Sequence, residues 1–171
     1  EYNLSLYQEA SLIFGQYIPK AITINVINDL NIFVSEKVSK IRPGFEVIFI
    51  LEKDKNNEDT FDILYKVDGI EFDWDDLSGA EQFMITLCFK LSLSKIIQNN
   101  FGVDIKLFCF DEIDQGLDAI SLNYFYIIVK ELEKQAKVMI ISHRDGLKDR
   151  FKSFITIVNK GKDEGSFAEQ N

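Results

Sequence analysis

Beyond residue 19 the apolar positions fall at helical spacing. Val26, Leu30, Val34, Val38 and Ile41 recur every three or four residues, the stripe of an amphipathic helix. Pro19 sits where a first helical turn tolerates proline, and Arg42-Pro43-Gly44 ends the pattern. Residues 1–14 (EYNLSLYQEASLIF) hold neither Gly nor Pro and predict a helix or the stub of one. The period then changes. FEVIFILEK (45–53) and FDILYKV (61–67) are rich in β-branched and aromatic residues around the polar NNEDT (56–60), which predicts a hairpin with a mobile tip. Asp68-Gly69 is a second turn, followed by a short strand over 70–72. Residues 78–99 return to helical spacing, with Phe83, Leu87, Leu91 and Ile96 or Ile97 on one side.

The remainder alternates. IKLFCFDE (105–112) is a nearly continuous apolar run ending in acids, a helix covers about 119–135, and VMIIS (138–142) and FITIVNK (154–160) are further buried-strand candidates. Buried strand, crossover helix and buried strand predict parallel pairing with helices over the sheet. The tail from Gly161 is expected to be a last turn and a frayed end. The 171 residues predict a single domain: a leading helical part (1–41), a hairpin region (45–72) and a lobe of strands and helices (77–160).

Composition adds constraints. Apolar residues make up 46% and charged residues 27%, which excludes a disordered or collagen-like chain. The net charge of −9 repels a nucleic-acid backbone, so such a contact would need a local basic patch. Lys90, Lys95, Lys148, Arg150 and Lys152 are the available basic residues. Cys88 and Cys109 are too few for a disulfide framework or a zinc site. No leader signals export, no apolar run is long enough for a membrane helix, and a start at Glu1 suggests a piece of something longer.

Four short constellations carry candidate chemistry. Leu77-Ser78-Gly79-Ala80-Glu81 opens a helix as a capping box, and the same exposed backbone N–H groups form an anion seat at the positive end of the helix dipole. Asp111 and Glu112 end an apolar strand, where ligands bind in open α/β sheets; one acid can hold a Mg²⁺ shell and the other orient a water. Asp114–Asp118 is a turn sequence, and Asp118 can cap the next helix. His143, the one histidine, follows the second apolar strand and falls on the rim that carries Glu112.

Taken in order, LSGAE, FDE, GLD and ISH resemble the signature motif, Walker B, D-loop and switch histidine of an ABC-type ATPase head of the SMC-like family. Residues 14–38 and ISHRDGLKDRF (141–151) look most like the SbcC or Rad-fifty type of DNA double-strand-break repair ATPase, while FDEID (110–114) leans toward SMC proper. The resemblance implies an α/β fold: the carboxyl-terminal lobe of an ABC-type head, with a parallel-strand core, crossover helices and an antiparallel hairpin. It implies ATP and Mg²⁺ as cofactors, Asp111 as the metal residue, and Glu112 and His143 as catalytic. Leu77, Ser78, Gly79, Ala80, Glu81 and Asp118 would meet nucleotide across a head dimer. Implied partners are the amino-terminal lobe carrying Walker A, a second head, an SbcD or Mre-eleven-type nuclease and DNA, with no membrane. Implied locations are a nucleoid-associated cytoplasm or, in a eukaryote, the nucleus. This chain departs from the family pattern in two places. Ala80 replaces the usual second glycine, at a helical position where Ala is comfortable, and no GxxxxGK[ST] is present. The alternative is an SMC-type chromosome-organising clamp with weak or no hydrolysis.

Overall fold

The computed structural model describes residues 2–53, 55, 58–144, 149–151, 153–159 and 166–170. Helix α1 (Tyr2–Leu12) passes through a π-helical segment (Ile13–Tyr17) into α2 (Ile18–Ile41). Pro19 lies in the first turn of α2, but it follows helical backbone rather than starting the helix. Along 4–24 the helix is largely exposed and carries large apolar side chains, among them Leu12, Phe14, Tyr17 and Ile22. Its lower half buries Ile27, Leu30, Val34 and Val38, one position shifted at the top from the expected stripe.

Strands β1 (Phe45–Lys53) and β2 (Asp59–Val67) pair antiparallel from Phe45–Val67 to Lys53–Asp59. The start of β2 lies two residues earlier than the pattern suggested, and residues 56 and 57 of the expected tip lie outside the described residues, as does residue 54 before it. A tight turn at Asp68-Gly69, both at positive φ, leads to β3 (Ile70–Phe72). Helix α2 packs on the face of β1 that buries Phe45, Val47 and Phe49. Asn31 ties the two together, donating its amide to the Phe49 carbonyl at 2.9 Å and accepting from the Phe49 N–H at 2.7 Å. That satisfies backbone groups which an edge strand would otherwise leave bare.

After a 3₁₀ turn (Trp74–Asp76), α3 (Gly79–Phe101) packs on α2 and on α4 (Ala119–Leu132). The core beneath them centres on Val34, Val38, Met84, Cys88, Phe125 and Val129, all fully buried. On α3 the buried side is Met84, Leu87, Cys88, Leu91 and Ile96, with Phe83 only partly covered and Ile97 exposed.

Strands β4 (Leu107–Asp111) and β5 (Lys137–Ile141) pair on either side of α4 in sequence. Their backbone bonds, Lys137 N–H to Lys106 at 2.8 Å and Glu112 N–H to Ile141 at 2.9 Å, run both strands the same way, as a crossover connection requires. The expected burial of these strands holds only at Phe110: Leu107, Met139 and Ile141 are each about half exposed. Two strands cannot cover both faces of their own pleat. A second correction concerns residues 166–170 of the expected frayed end, where β7 (Ser166–Gln170) pairs antiparallel with β6 (Ile155–Asn159); the expected last turn, within 160–165, lies outside the described residues. Ile155 and Ile157 on β6 are likewise exposed, against the expectation of a buried strand. The described residues divide into two compact units, Glu1–Phe108 with Leu117–Val138, and Cys109–Gly116 with Met139–Asn171.

Candidate functional site

In the first unit, Leu77 is buried and Ser78 starts α3 with extended backbone, φ −63° and ψ 154°. The capping box is complete. The Ser78 hydroxyl accepts from the Glu81 N–H at 3.4 Å, and the Glu81 carboxylate accepts from the Ser78 N–H at 2.8 Å and from its hydroxyl at 2.7 Å. The other Glu81 oxygen meets the guanidinium of Arg42, just past the end of α2, which also lies 5.4 Å from the Phe45 ring. Sequence reasoning missed Arg42, because nothing in Arg-Pro-Gly beyond a helix stop signals a distant partner.

Gly79 and Ala80 occupy the first turn of α3. Ala80 is buried in ordinary helix. A methyl built on Gly79 would meet nothing within 4 Å, and its φ lies outside the left-handed region. The fold therefore gives no reason for glycine at 79. Asp118 caps α4, accepting from the Ser121 N–H at 2.8 Å; that hydrogen bond holds its carboxyl below the usual aspartate range.

In the second unit, Asp111 ends β4 exposed, and the backbone turns sharply at Glu112, whose φ of +48° is unusual for a residue with a side chain. The turn aims the carboxylate along the strand ends. There one Glu112 oxygen meets Nε2 of His143, and the other accepts from the Gln115 side chain at 2.6 Å. Glu112 and His143 therefore share the rim that the strand order predicted. Behind them Asp114 is buried and accepts from the Ser142 hydroxyl at 2.6 Å. In the sequence, Gln115 and Ser142 carry no signal of their own, and Asp114 reads only as part of a turn.

Two further observations bear on chemistry. Among the described residues no group of three or more His, Cys, Asp or Glu side chains is arranged for a metal ion. Asp111 offers an exposed carboxylate, an oxygen donor of the kind that Mg²⁺ takes. Also among these residues, no helix is long and apolar enough to cross a membrane. Of the basic residues, Lys90 and Lys95 lie on α3, whereas Lys148 and Lys152 lie outside the described residues.

No protein-family model matches the chain. It is similar to the SbcC component of the SbcCD nuclease of Clostridium acetobutylicum, 31% identical over 156 residues, covering 88% of this chain and 13% of that protein. It is also similar to the structural maintenance of chromosomes protein 3 homolog of Plasmodium falciparum, 37% identical over 67 residues, 39% of this chain and 5% of that protein. The chain thus spans a small part of the curated relatives it matches. Among solved structures, an SMC ATPase from work on ATP-driven dimerisation and DNA-stimulated activation superposes with a TM-score of 0.69 at 22% identity, over 89% of both chains. The Smc head of Pyrococcus yayanosii with its coiled coil and joint gives 0.64 at 21%, over 99% of this chain and 32% of that one. At these identities the likeness is one of fold.

Proposed function

The chain belongs to the SMC-like ATPase heads as their carboxyl-terminal lobe, with SbcC among its relatives, and from that premise we propose that it supplies the hydrolytic half of an ATP site completed by other polypeptide segments. The observation that carries the reading is the meeting of Glu112 and His143 at the carboxyl ends of adjacent parallel strands. Glu112 takes a proton from, or orients, the attacking water, and the exposed imidazole of His143 contacts the γ-phosphate. Asp111 would hold Mg²⁺, and the bound ion would offset phosphate charge.

Ser78, Gly79 and Ala80, with Leu77 and Glu81 shaping their turn, present the start of α3 to the nucleotide of a second head. The glycine at 79 supports this reading: the start of α3 is bare and open there to something that approaches from outside. Asp118 couples the paired sites. ATP then acts as a glue between two heads, and hydrolysis releases them. The exposed apolar side chains along 4–24 support a second helix of a coiled coil lying beside them.

In this reading the whole assembly is a DNA-repair ATPase that binds DNA and regulates a partner nuclease of the SbcD type. The similarity to an SMC protein and the FDEID sequence favour one other reading, a chromosome-organising clamp that pairs on ATP with little turnover. The test is sedimentation of the chain combined with its amino-terminal lobe. ATP should double the mass of the assembled head, and Ser78→Arg should prevent it; a head that stays single with ATP contradicts the proposal. Fast turnover after pairing favours the repair ATPase, and pairing without turnover favours the clamp.

A further inference from the structure

One buried side chain in the second unit is only half served by the described residues around it. Asp114 is 2% exposed. Its Oδ2 accepts from the Ser142 hydroxyl at 2.6 Å, while Oδ1 has no hydrogen-bond partner among the described residues. Leaving a carboxylate oxygen buried and bare is costly, and an apolar side chain of similar volume would spare that cost. The residue therefore does something other than fill space.

Its contacts show what that is. Ser142 Oγ, held by Asp114, itself accepts from the Arg144 N–H at 2.9 Å. Arg144 also reaches back, donating from Nη1 to the Asp114 carbonyl at 3.3 Å. Both neighbours of His143 are thus tied to one residue of the turn that follows Glu112. The same turn fixes Glu112, whose N–H donates to Ile141 at 2.9 Å and whose carbonyl accepts from the Gln115 N–H at 3.0 Å. His143 is itself exposed, with a side chain 77% accessible, so packing does not set its direction.

We propose that Asp114 is a positioning residue: acting through the Ser142 hydroxyl and through Arg144, it holds the imidazole of His143 against Glu112. This rests on the reading of Glu112 and His143 as the hydrolytic pair. Loss of the tie leaves nucleotide binding intact and lets the imidazole wander from its place. A displacement of about 1 Å is enough to slow a reaction by about a hundredfold where geometry sets the rate.

The test exploits the single histidine. This chain is labelled with ¹⁵N-histidine and combined with its unlabelled amino-terminal lobe, so the imidazole signals belong to His143 alone. Ser142→Ala removes the hydroxyl and little else, and Ser142→Thr keeps it. The expected result is that Ser142→Ala moves the imidazole ¹⁵N signals and lowers kcat for ATP about tenfold or more, with KM changed less than about twofold. Ser142→Thr should restore both. Unchanged signals in Ser142→Ala overturn the proposal, and so does a loss that threonine fails to rescue, because that marks general damage. Glu112→Gln in the same head separates the two claims. If it turns over ATP normally, the hydrolytic assignment fails, while the imidazole signals still decide the role of Asp114.

Discussion

Glu81 joins three groups, and its removal gives a prediction whose size follows from the structure. One carboxylate oxygen pairs with Arg42 beyond the end of α2, and the other accepts from the Ser78 N–H and hydroxyl. The Glu81 side chain is 13% exposed and that of Arg42 34%, so the pair lies between a surface bridge and a buried one. Losing half of a capping box costs about 1 kcal/mol. An exposed ion pair contributes up to about 1 kcal/mol and breaking a buried one costs about 3–5, so about 2 is a fair intermediate. Glu81→Ala should therefore destabilise by about 3 kcal/mol. At about 2–4 °C per kcal/mol for a chain of this size, Tm should fall by about 6–12 °C. Glu81→Gln keeps an acceptor for Ser78 and should lose only the ionic part. Urea denaturation of wild type, Glu81→Gln, Arg42→Ala and the double variant gives the coupling directly, expected at about 1–2 kcal/mol. A coupling below about 0.3 kcal/mol would refute the claim that Arg42 steadies the start of α3.

The other predictions concern separate parts of the molecule. Burial pushes the Cys88 thiol up to about 12 from an ordinary value near 9, while Cys109 is exposed. Iodoacetamide at about pH 8 should label Cys109 and spare Cys88, as peptide mass spectrometry will show. Because the unfolded chain releases this proton near pH 9 and the folded chain retains it to about pH 12, the thiol's contribution is complete below pH 9 and is lost progressively toward pH 12; alkaline urea melts check that window, and Cys88→Ala should flatten it. Phe125→Ala, at a fully buried position, should cost about 3–5 kcal/mol in the same melts. Gly79→Ala should leave Tm unchanged or slightly raised, since the added methyl meets nothing, yet should abolish ATP-driven pairing in sedimentation.

Local chemistry was the readable part of this chain. Ser78 and Glu81 at three-residue spacing announced the capping box, Asp68-Gly69 announced the turn, and apolar runs on either side of a helix announced the parallel pair β4 and β5. Glu112 and His143 fall on one rim because both follow strands that run the same way. What stayed hidden depends on distant partners. Apolar runs say that a strand wants cover, not that this chain supplies it, which is why Leu107, Met139 and Ile155 are exposed. The strand at 166–170 carries no alternating pattern and exists through its pairing with β6. The burial of Asp114 depends on a hydroxyl 28 residues away, and a turn-forming Asp looks the same with or without it.

The central claim is that this lobe holds the hydrolytic carboxylate of a site which other segments complete. Steady-state ATP turnover of three samples tests it most directly: this chain alone, the chain with its amino-terminal lobe, and that pair carrying Glu112→Gln. The expected results are, in turn, no turnover, turnover, and a loss of about a hundredfold or more in kcat with ATP still bound. Turnover by the chain alone, or full activity with Gln at position 112, would contradict it.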